Sequence, residues 1–162
     1  VKPVRGSRLP AGRALGVGEI RALFAVCGDD TIGFRNAALI AILYGAGLRR
    51  AEAVALDVED FDAEEGLLRD RHGKGNKQRT AYVATGGVEV IEQWLETRGD
   101  EPGPLLRPIT RGGRVVDRRM SAQTVLDALR ALAKKAGVNS FRRYGGRRVG
   151  AVRETAPAAA LT

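Results

Sequence analysis

One cysteine and one histidine, Cys27 and His72, stand in a chain of 162 residues. A single cysteine excludes an internal disulfide, and a lone histidine leaves no Cys/His set with zinc-ligand spacing. A Ser-His-Asp or Cys-His triad could draw only on His72, and no nucleophile stands near it in sequence. Aromatic residues make up 5% of the chain, little for the base-stacking surfaces that RNA recognition uses. No apolar run approaches the ~18 residues of a membrane span. The basic N-terminus, VKPVRGSRLPAGRALG, has no hydrophobic stretch behind it and does not read as a secretory signal. These shortages point to a reducing cytoplasm, with no metal and no membrane.

What the chain has in excess is positive charge. Lys plus Arg number 27 against 19 acids, a formal net charge of +8 with a pI near 10.4. Such a balance favours an anionic polymer as partner. Arginine dominates the basic set, and a GC-rich genome encodes Arg, Ala and Gly heavily, so placement carries more weight than number. With 44% hydrophobic and 28% charged residues, the chain can build one domain of ordinary size.

Residues 1–16 have no apolar period and carry Lys2, Arg5, Arg8 and Arg13 against no acid, which reads as a flexible basic arm or linker. Helical spacing of Ile20, Leu23, Phe24 and Cys27 predicts a helix over 17–27. A second, over 32–44, is apolar nearly all round and is therefore expected to be buried. Gly45 and Gly47 end it, and a short third helix follows over 49–56. Between 57 and 84 the helical period fails. Short strands are expected at 57–61, 67–71 and 79–84, the last two joined by a hairpin over 73–77. Helix returns over 87–97. Residues 99–119 read as loop with an extended piece at 105–108, and a last helix is expected over 121–136, capped by Ser121 and ended by Gly137. The expected fold is α+β, mostly helical, with a small antiparallel sheet inserted between helices. The domain is expected over 17–141, followed by an irregular basic tail over 142–162.

Three stretches could carry chemistry. In Gly47-Leu48-Arg49-Arg50-Ala51-Glu52 an arginine opens a helix directly after a buried one. Glu52, one turn on, is placed to brace its guanidinium. In Gly73-Lys74-Gly75-Asn76-Lys77-Gln78-Arg79 a glycine-flanked lysine at a hairpin tip can approach a phosphate without obstruction. The spacing is not that of a P-loop, so nucleotide binding is not implied. The third stretch, Phe141-Arg142-Arg143-Tyr144-Gly145-Gly146-Arg147-Arg148, holds four arginines and a tyrosine. Each stretch has a plainer reading: a surface ion pair, a solvated basic turn, an unstructured basic tail.

In their order and separation the first two stretches resemble the tyrosine recombinase (phage integrase) catalytic domain. That family carries G-L-R-x-x-E at the end of a buried helix and G-K-G-N-K-x-R in a β-hairpin about two dozen residues later. Arg35-Asn36-Ala37-Ala38-Leu39, Pro104-Leu105-Leu106 and the helix over 121–136 are also similar to the family, so the resemblance covers roughly 10–141. It implies that Arg49 holds the scissile phosphate, that Glu52 supports it, and that Lys74 donates a proton to the leaving 5′ oxygen. Guanidinium groups suit oxygens on which negative charge accumulates, and a lysine near the leaving oxygen suits a general acid. The family's phosphotyrosine conserves the bond energy, so the resemblance implies no cofactor. It implies double-stranded DNA as partner; Arg49, Arg71, Lys74, Lys77 and Arg79 are expected to cluster near one face, with Arg50, Arg71, Lys77 and Arg79 as further DNA-binding residues.

The pattern is departed from after Phe141. Where the family has H-x-x-R, this chain places Tyr144 in the histidine position and Arg147 in the second arginine position. The family's nucleophilic tyrosine lies roughly thirty residues beyond that arginine, and neither Tyr44 nor Tyr82 matches its place. The resemblance therefore implies a catalytic domain cut at both ends, inactive alone in strand cleavage, and able to associate with itself or with a full-length recombinase. The alternatives are a non-catalytic DNA-binding accessory or inhibitory module, and a generic RNA-binding basic protein.

Overall fold

The computed structural model describes residues 15–71, 75 and 77–138. Helix α1 spans Val17–Ala25, and α2 spans Thr31–Ile40. The Asp30 carboxylate caps α2, accepting the Gly33 N–H at 2.7 Å. Gly33 lies so close to the preceding turn that a Cβ there would clash with the backbone carbonyls of Cys27 and Gly28. The second expected helix does not run on to residue 44 as α-helix. Residues Ala41–Gly45 form a π-helical turn, with the Ala46 N–H donating to the Ala41 carbonyl at 3.2 Å. The wide turn and a left-handed Gly47 (φ 69°) swing the chain round. Leu48 enters the core and Arg49 stands at the head of α3, Arg50–Ala55. Gly45 has ordinary backbone angles and open space around it, so only Gly47 uses glycine's freedom.

The expected strand at 57–61 is mostly a tight turn. The Asp60 carboxylate accepts the Asp57 N–H at 2.8 Å, and the Asp60 N–H donates to the Asp57 carbonyl at 3.0 Å. This local bonding competes with extended chain, so Val58–Asp60 forms a 3₁₀ turn and β1 is only Phe61–Asp62. Strands β2 (Leu67–Asp70) and β3 (Arg79–Tyr82) complete an antiparallel sheet of order β1-β2-β3. The register places Leu68 opposite Ala81 and Asp70 opposite Arg79. Leu68 and Ala81 point inward, while Arg69 and Tyr82 face out. Gly75, at φ 78°, lies in the expected hairpin; the rest of its tip, 72–74 and 76, is outside the described residues.

Helix α4, Thr85–Arg98, begins two residues earlier than its periodicity predicts, and α5 spans Ala122–Ala136. Ser121 caps α5 by accepting the Thr124 N–H at 3.1 Å, and Gly137 ends it in the left-handed conformation. The core lies where α2 and its π-turn pack on α4, with α1 and α3 closing against α5. Leu39, Ile40, Ile42, Leu43, Ile91 and Trp94 are fully enclosed there, so the expectation of a buried second helix holds. The Trp94 indole N–H donates to the Leu105 carbonyl at 2.9 Å. That bond, with Leu105 N–H to the Leu56 carbonyl at 2.9 Å, pins the extended piece at 105–108 across the end of α3. The observed architecture is the expected α+β arrangement, helical with a small antiparallel sheet between α3 and α4.

Candidate functional site

Arg49 occupies the corner between the π-turn and α3. Its backbone is extended (φ −74°, ψ 157°), the conformation of a helix-capping position. Its N–H donates to Glu52 Oε2 at 2.7 Å, which anchors the first turn of α3. The same Oε2 accepts Arg79 Nη2 at 2.8 Å. The sequence places Glu52 to brace the Arg49 guanidinium. Among the described residues it instead holds the Arg49 backbone and the guanidinium of Arg79. The Arg49 side chain is partly buried, and its Nε has no hydrogen-bond partner among the described residues. A sheltered guanidinium nitrogen without a partner, beside a helix start, is a charge-bearing donor open to an anion.

The other candidates divide. Arg79, on β3, is bound to Glu52, with its Nε 4.0 Å from the buried Asp70 carboxylate on β2. Arg50 donates from Nη1 to the Ala122 carbonyl at 3.2 Å, tying α3 to the start of α5. Arg71 is engaged by Glu59 at 2.8 Å and by Asp60 at 2.7 Å. Its pKa is raised, first through the Glu59 hydrogen bond and then by the Asp60 charge. Two carboxylates thus draw Arg71 toward the 3₁₀ turn. Lys77 is exposed and makes no ion pair among the described residues. The structure therefore unites Arg49, Glu52 and Arg79 and sets Arg71 apart. Lys74, Tyr144 and Arg147 lie outside the described residues, as do the arm over 1–14 and the tail over 142–162.

Several further arginines are tied into the fold by their guanidinium groups. Arg98, at the end of α4, donates to the carbonyls of Gly99 at 2.6 Å, Glu101 at 3.0 Å and Pro104 at 2.8 Å. Burial, and then the charge of Arg107, lowers its pKa. Arg107 reaches Asp117 at 3.1 Å. Arg119 bonds the Val54 and Leu56 carbonyls at 2.8 and 3.2 Å and the Asp57 carboxylate at 2.6 Å. Arg35, buried in α2, donates from Nε and Nη2 to Asn36 Oδ1 at 3.1 and 2.9 Å, and burial lowers its pKa. No local sequence signal marks Arg98 and Arg119, because their acceptors are mostly backbone carbonyls, in the loop after α4 and at the end of α3.

Charge is distributed accordingly. Ten of the 27 basic residues lie outside the described residues, with one of the 19 acids, Glu154. The described residues thus hold 17 bases against 18 acids, and the flanking segments with Lys74 hold the whole excess. Among the described residues, no cluster of His, Cys, Asp or Glu is placed to hold a metal ion. No helix there is long and apolar enough to cross a membrane.

Comparison with known proteins bears on the family and the fold. Over residues 13–152 the sequence matches the phage integrase family. It is 35% identical over 153 residues to tyrosine recombinase XerD of Mycobacterium leprae, covering 85% of this chain and 46% of that protein. It is 39% identical over 95 residues to tyrosine recombinase XerC of Vibrio parahaemolyticus, covering 59% of this chain and 30% of that one. A crystal structure of XerA recombinase superposes with a TM-score of 0.65 at 27% identity, over 86% of this chain and 47% of that one. The chain thus spans less than half the length of each of these relatives. A match over most of the sequence, a shared fold and the paired motifs around Arg49 and Arg79 lead to one conclusion: the chain belongs to the phage integrase family.

Proposed function

We propose that this chain is a catalytic-domain portion of a tyrosine-type site-specific recombinase, which binds duplex DNA in a soluble, cytoplasmic setting. Arg49 grips the scissile phosphate, Lys74 is the general acid for the leaving 5′ oxygen, and Arg147 is the second phosphate-binding arginine. Tyr144 stands in the position of the family's histidine, and Glu52 supports Arg49. The observation that carries the reading is Arg49 itself. The π-turn and the Glu52 carboxylate fix its backbone, while its buried Nε is left without a protein partner among the described residues. A preorganised guanidinium of this kind stabilises charge on a phosphodiester without reorganising.

By itself the chain forms no phosphotyrosine. In the reaction proposed for the family's complete site, a tyrosine oxygen bonds to phosphorus while the bond to the 5′ oxygen breaks and that oxygen takes the lysine's proton. Tyr44 is 2% exposed within the π-turn, out of reach of any DNA strand, and Tyr82 projects from the outer face of β3. Positioning supplies a large part of such a rate, and neither Tyr44 nor Tyr82 matches the sequence place of the family's nucleophile. A nicked suicide substrate incubated with the purified chain, and run on a denaturing gel, tests this. No protein–DNA adduct is expected. An adduct lost in Tyr144→Phe would make Tyr144 the nucleophile and overturn the inactive reading. Binding of the duplex that ignored Arg49→Ala would remove Arg49 from the phosphate site.

A further inference from the structure

We propose that Arg79 is a positioning residue for Arg49: it holds the Glu52 carboxylate in the place from which that carboxylate fixes the Arg49 backbone. The inference rests on the reading of Arg49 as a phosphate ligand and assigns Arg79 a role other than direct DNA contact.

Glu52 Oε2 carries two short charge-assisted bonds, from Arg49 N–H at 2.7 Å and from Arg79 Nη2 at 2.8 Å. One oxygen therefore joins α3 to β3 across 27 residues of sequence. Arg79 is itself aligned from the other side. It faces Asp70 in the β2–β3 register, and its Nε lies 4.0 Å from the Asp70 carboxylate, which is 1% exposed. The chain of partners runs from Asp70 on β2 to Arg79 on β3, to Glu52 on α3, then to the Arg49 N–H. The Glu52 side chain is 13% exposed and that of Arg79 34%, so solvent screens this pair less than an open surface pair. Without Arg79, the carboxylate keeps only one strong donor among the described residues and is free to turn toward water. The first turn of α3 then loses its anchor, and the direction of the Arg49 side chain is no longer fixed. A planar fork suits the task. It can address Glu52 from Nη2 while its Nε leans toward Asp70, which a lysine ammonium cannot do from two separate atoms.

The test uses the whole chain in solution, labelled for NMR, as wild type, Arg79→Ala and Arg79→Lys. Amide exchange of Arg49 reports the Glu52 anchor, and the Trp94 indole N–H, bonded to Leu105, reports the intact core. Arg79→Ala is expected to speed Arg49 exchange about tenfold or more, the loss of one bond to a charged group, with the Trp94 signal unmoved. Arg79→Lys, which can bond Glu52 but cannot also lean on Asp70 from a second atom, should recover only part of that protection. Unchanged Arg49 exchange in a folded Arg79→Ala chain overturns the proposal. Should Arg79→Ala unfold, Arg79→Gln, which keeps a donor without charge, is read by the same two signals. Inorganic phosphate titrated into each chain provides the second arm. It should shift the Arg49 Nε–H in wild type, and shift it with several-fold weaker affinity in Arg79→Ala. If wild type shows no such shift while Arg49 exchange still responds to Arg79, the phosphate reading fails and the positioning link stands. If phosphate shifts the Arg79 Nε–H directly, with Arg49 exchange indifferent to Arg79, Arg79 is a ligand and the positioning role is refuted.

Discussion

Two regions of this fold are rich in arginine and use it in opposite ways. In the loop between α4 and α5, Arg98 directs its guanidinium at three backbone carbonyls, and Arg119 turns its own onto two carbonyls and Asp57. Arg98 thus bonds the turn that follows α4, and Arg119 ties the end of the loop to the end of α3. At the head of α3 the arrangement is reversed. Backbone and carboxylate hold Arg49 by its main chain, and its Nε is left without a partner among the described residues. An arginine whose guanidinium bonds the fold from two nitrogens is architecture, even where a third, Arg98 Nη2, has no partner among the described residues. One whose backbone is fixed and whose guanidinium is not so bound among the described residues is a candidate ligand. The distinction lies in the acceptors, and composition does not reveal it.

The strongest way to break this comparison is to truncate one arginine from each region and measure unfolding in urea. Arg98→Ala leaves three carbonyls without their donor and is expected to lose about 3 kcal/mol. Arg98→Met keeps the stem and removes a buried charge, so its loss should be about half as large. Arg79→Ala should lose less than Arg98→Ala, about 1 kcal/mol, because its ion pair is partly screened. If Arg98→Ala melted with the wild type, the loop arginines would not be structural and the contrast would collapse.

A second test turns on where the net charge resides. The described residues are close to electrically balanced, so most of the salt dependence of the proposed DNA binding is expected from the flanking segments. Changing Arg142, Arg143 and Arg148 together to Gln should flatten the plot of log affinity against log salt by up to about 2.7, roughly 0.9 for each phosphate no longer neutralised. The change from Arg98 to Met should leave that slope alone. An unaltered slope in the triple variant would move the DNA-binding charge back onto the described fold.

Much of this contrast is legible in the sequence, and the limits have physical causes. Period and caps locate α1, α2, α4 and α5 to within a few residues, since each buries one continuous stripe or, for α2, a whole circumference. Leu48-Arg49 reads as a helix junction because glycine precedes it. The π-turn is not legible: a widened turn has the same apolar composition as the helix it interrupts. The strand expected at 57–61 fails because Asp57 and Asp60 bond each other locally, which alternation cannot show. Glu52 reads as a partner for the nearest arginine in sequence, when the hairpin register brings it Arg79 from 27 residues away. Arg98 and Arg119 are invisible for the same reason: Arg98 finds its acceptors in a loop whose path no periodicity predicts, and Arg119 reaches the end of α3 from that loop.

A smaller effect is expected at the packing of α1 on α5, where a sheltered group is neither ligand nor clamp. Burial pushes the Cys27 thiol up to about 11, slightly offset by the positive charge of Lys135. Its Sγ–H donates to the Leu23 carbonyl at 3.3 Å. The fold therefore holds this proton more tightly than the unfolded chain does, where the thiol titrates near its ordinary value. The stability it contributes is complete below about pH 9 and is lost as pH rises toward 11. Urea midpoints measured from about pH 8 to about 10.5 should fall faster for wild type than for Cys27→Ala. Parallel falls would show that the thiol proton plays no part.

The smallest expected effect is at Arg71, and it sharpens the comparison most finely, since by sequence alone Arg71 and Lys77 look alike. Both flank the hairpin and both carry charge toward its tip. Yet Arg71 has Glu59 at 2.8 Å and Asp60 at 2.7 Å, and its pKa is raised by those same neighbours, the Glu59 hydrogen bond first. A phosphate competing for that guanidinium would have to displace carboxylates already in place, and the local field of the pair is already negative. Lys77 meets no acid among the described residues and stays exposed. Arg71→Gln should therefore change duplex affinity by no more than about twofold and leave the salt slope where it was, whereas Lys77→Gln should reduce the slope by about 0.9 if it neutralises one phosphate. Filter binding at several salt concentrations separates the two. If Arg71→Gln lowered the slope by a full phosphate's worth while Lys77→Gln did nothing, partnership with carboxylates would not be what divides structural arginine from DNA-binding arginine in this fold.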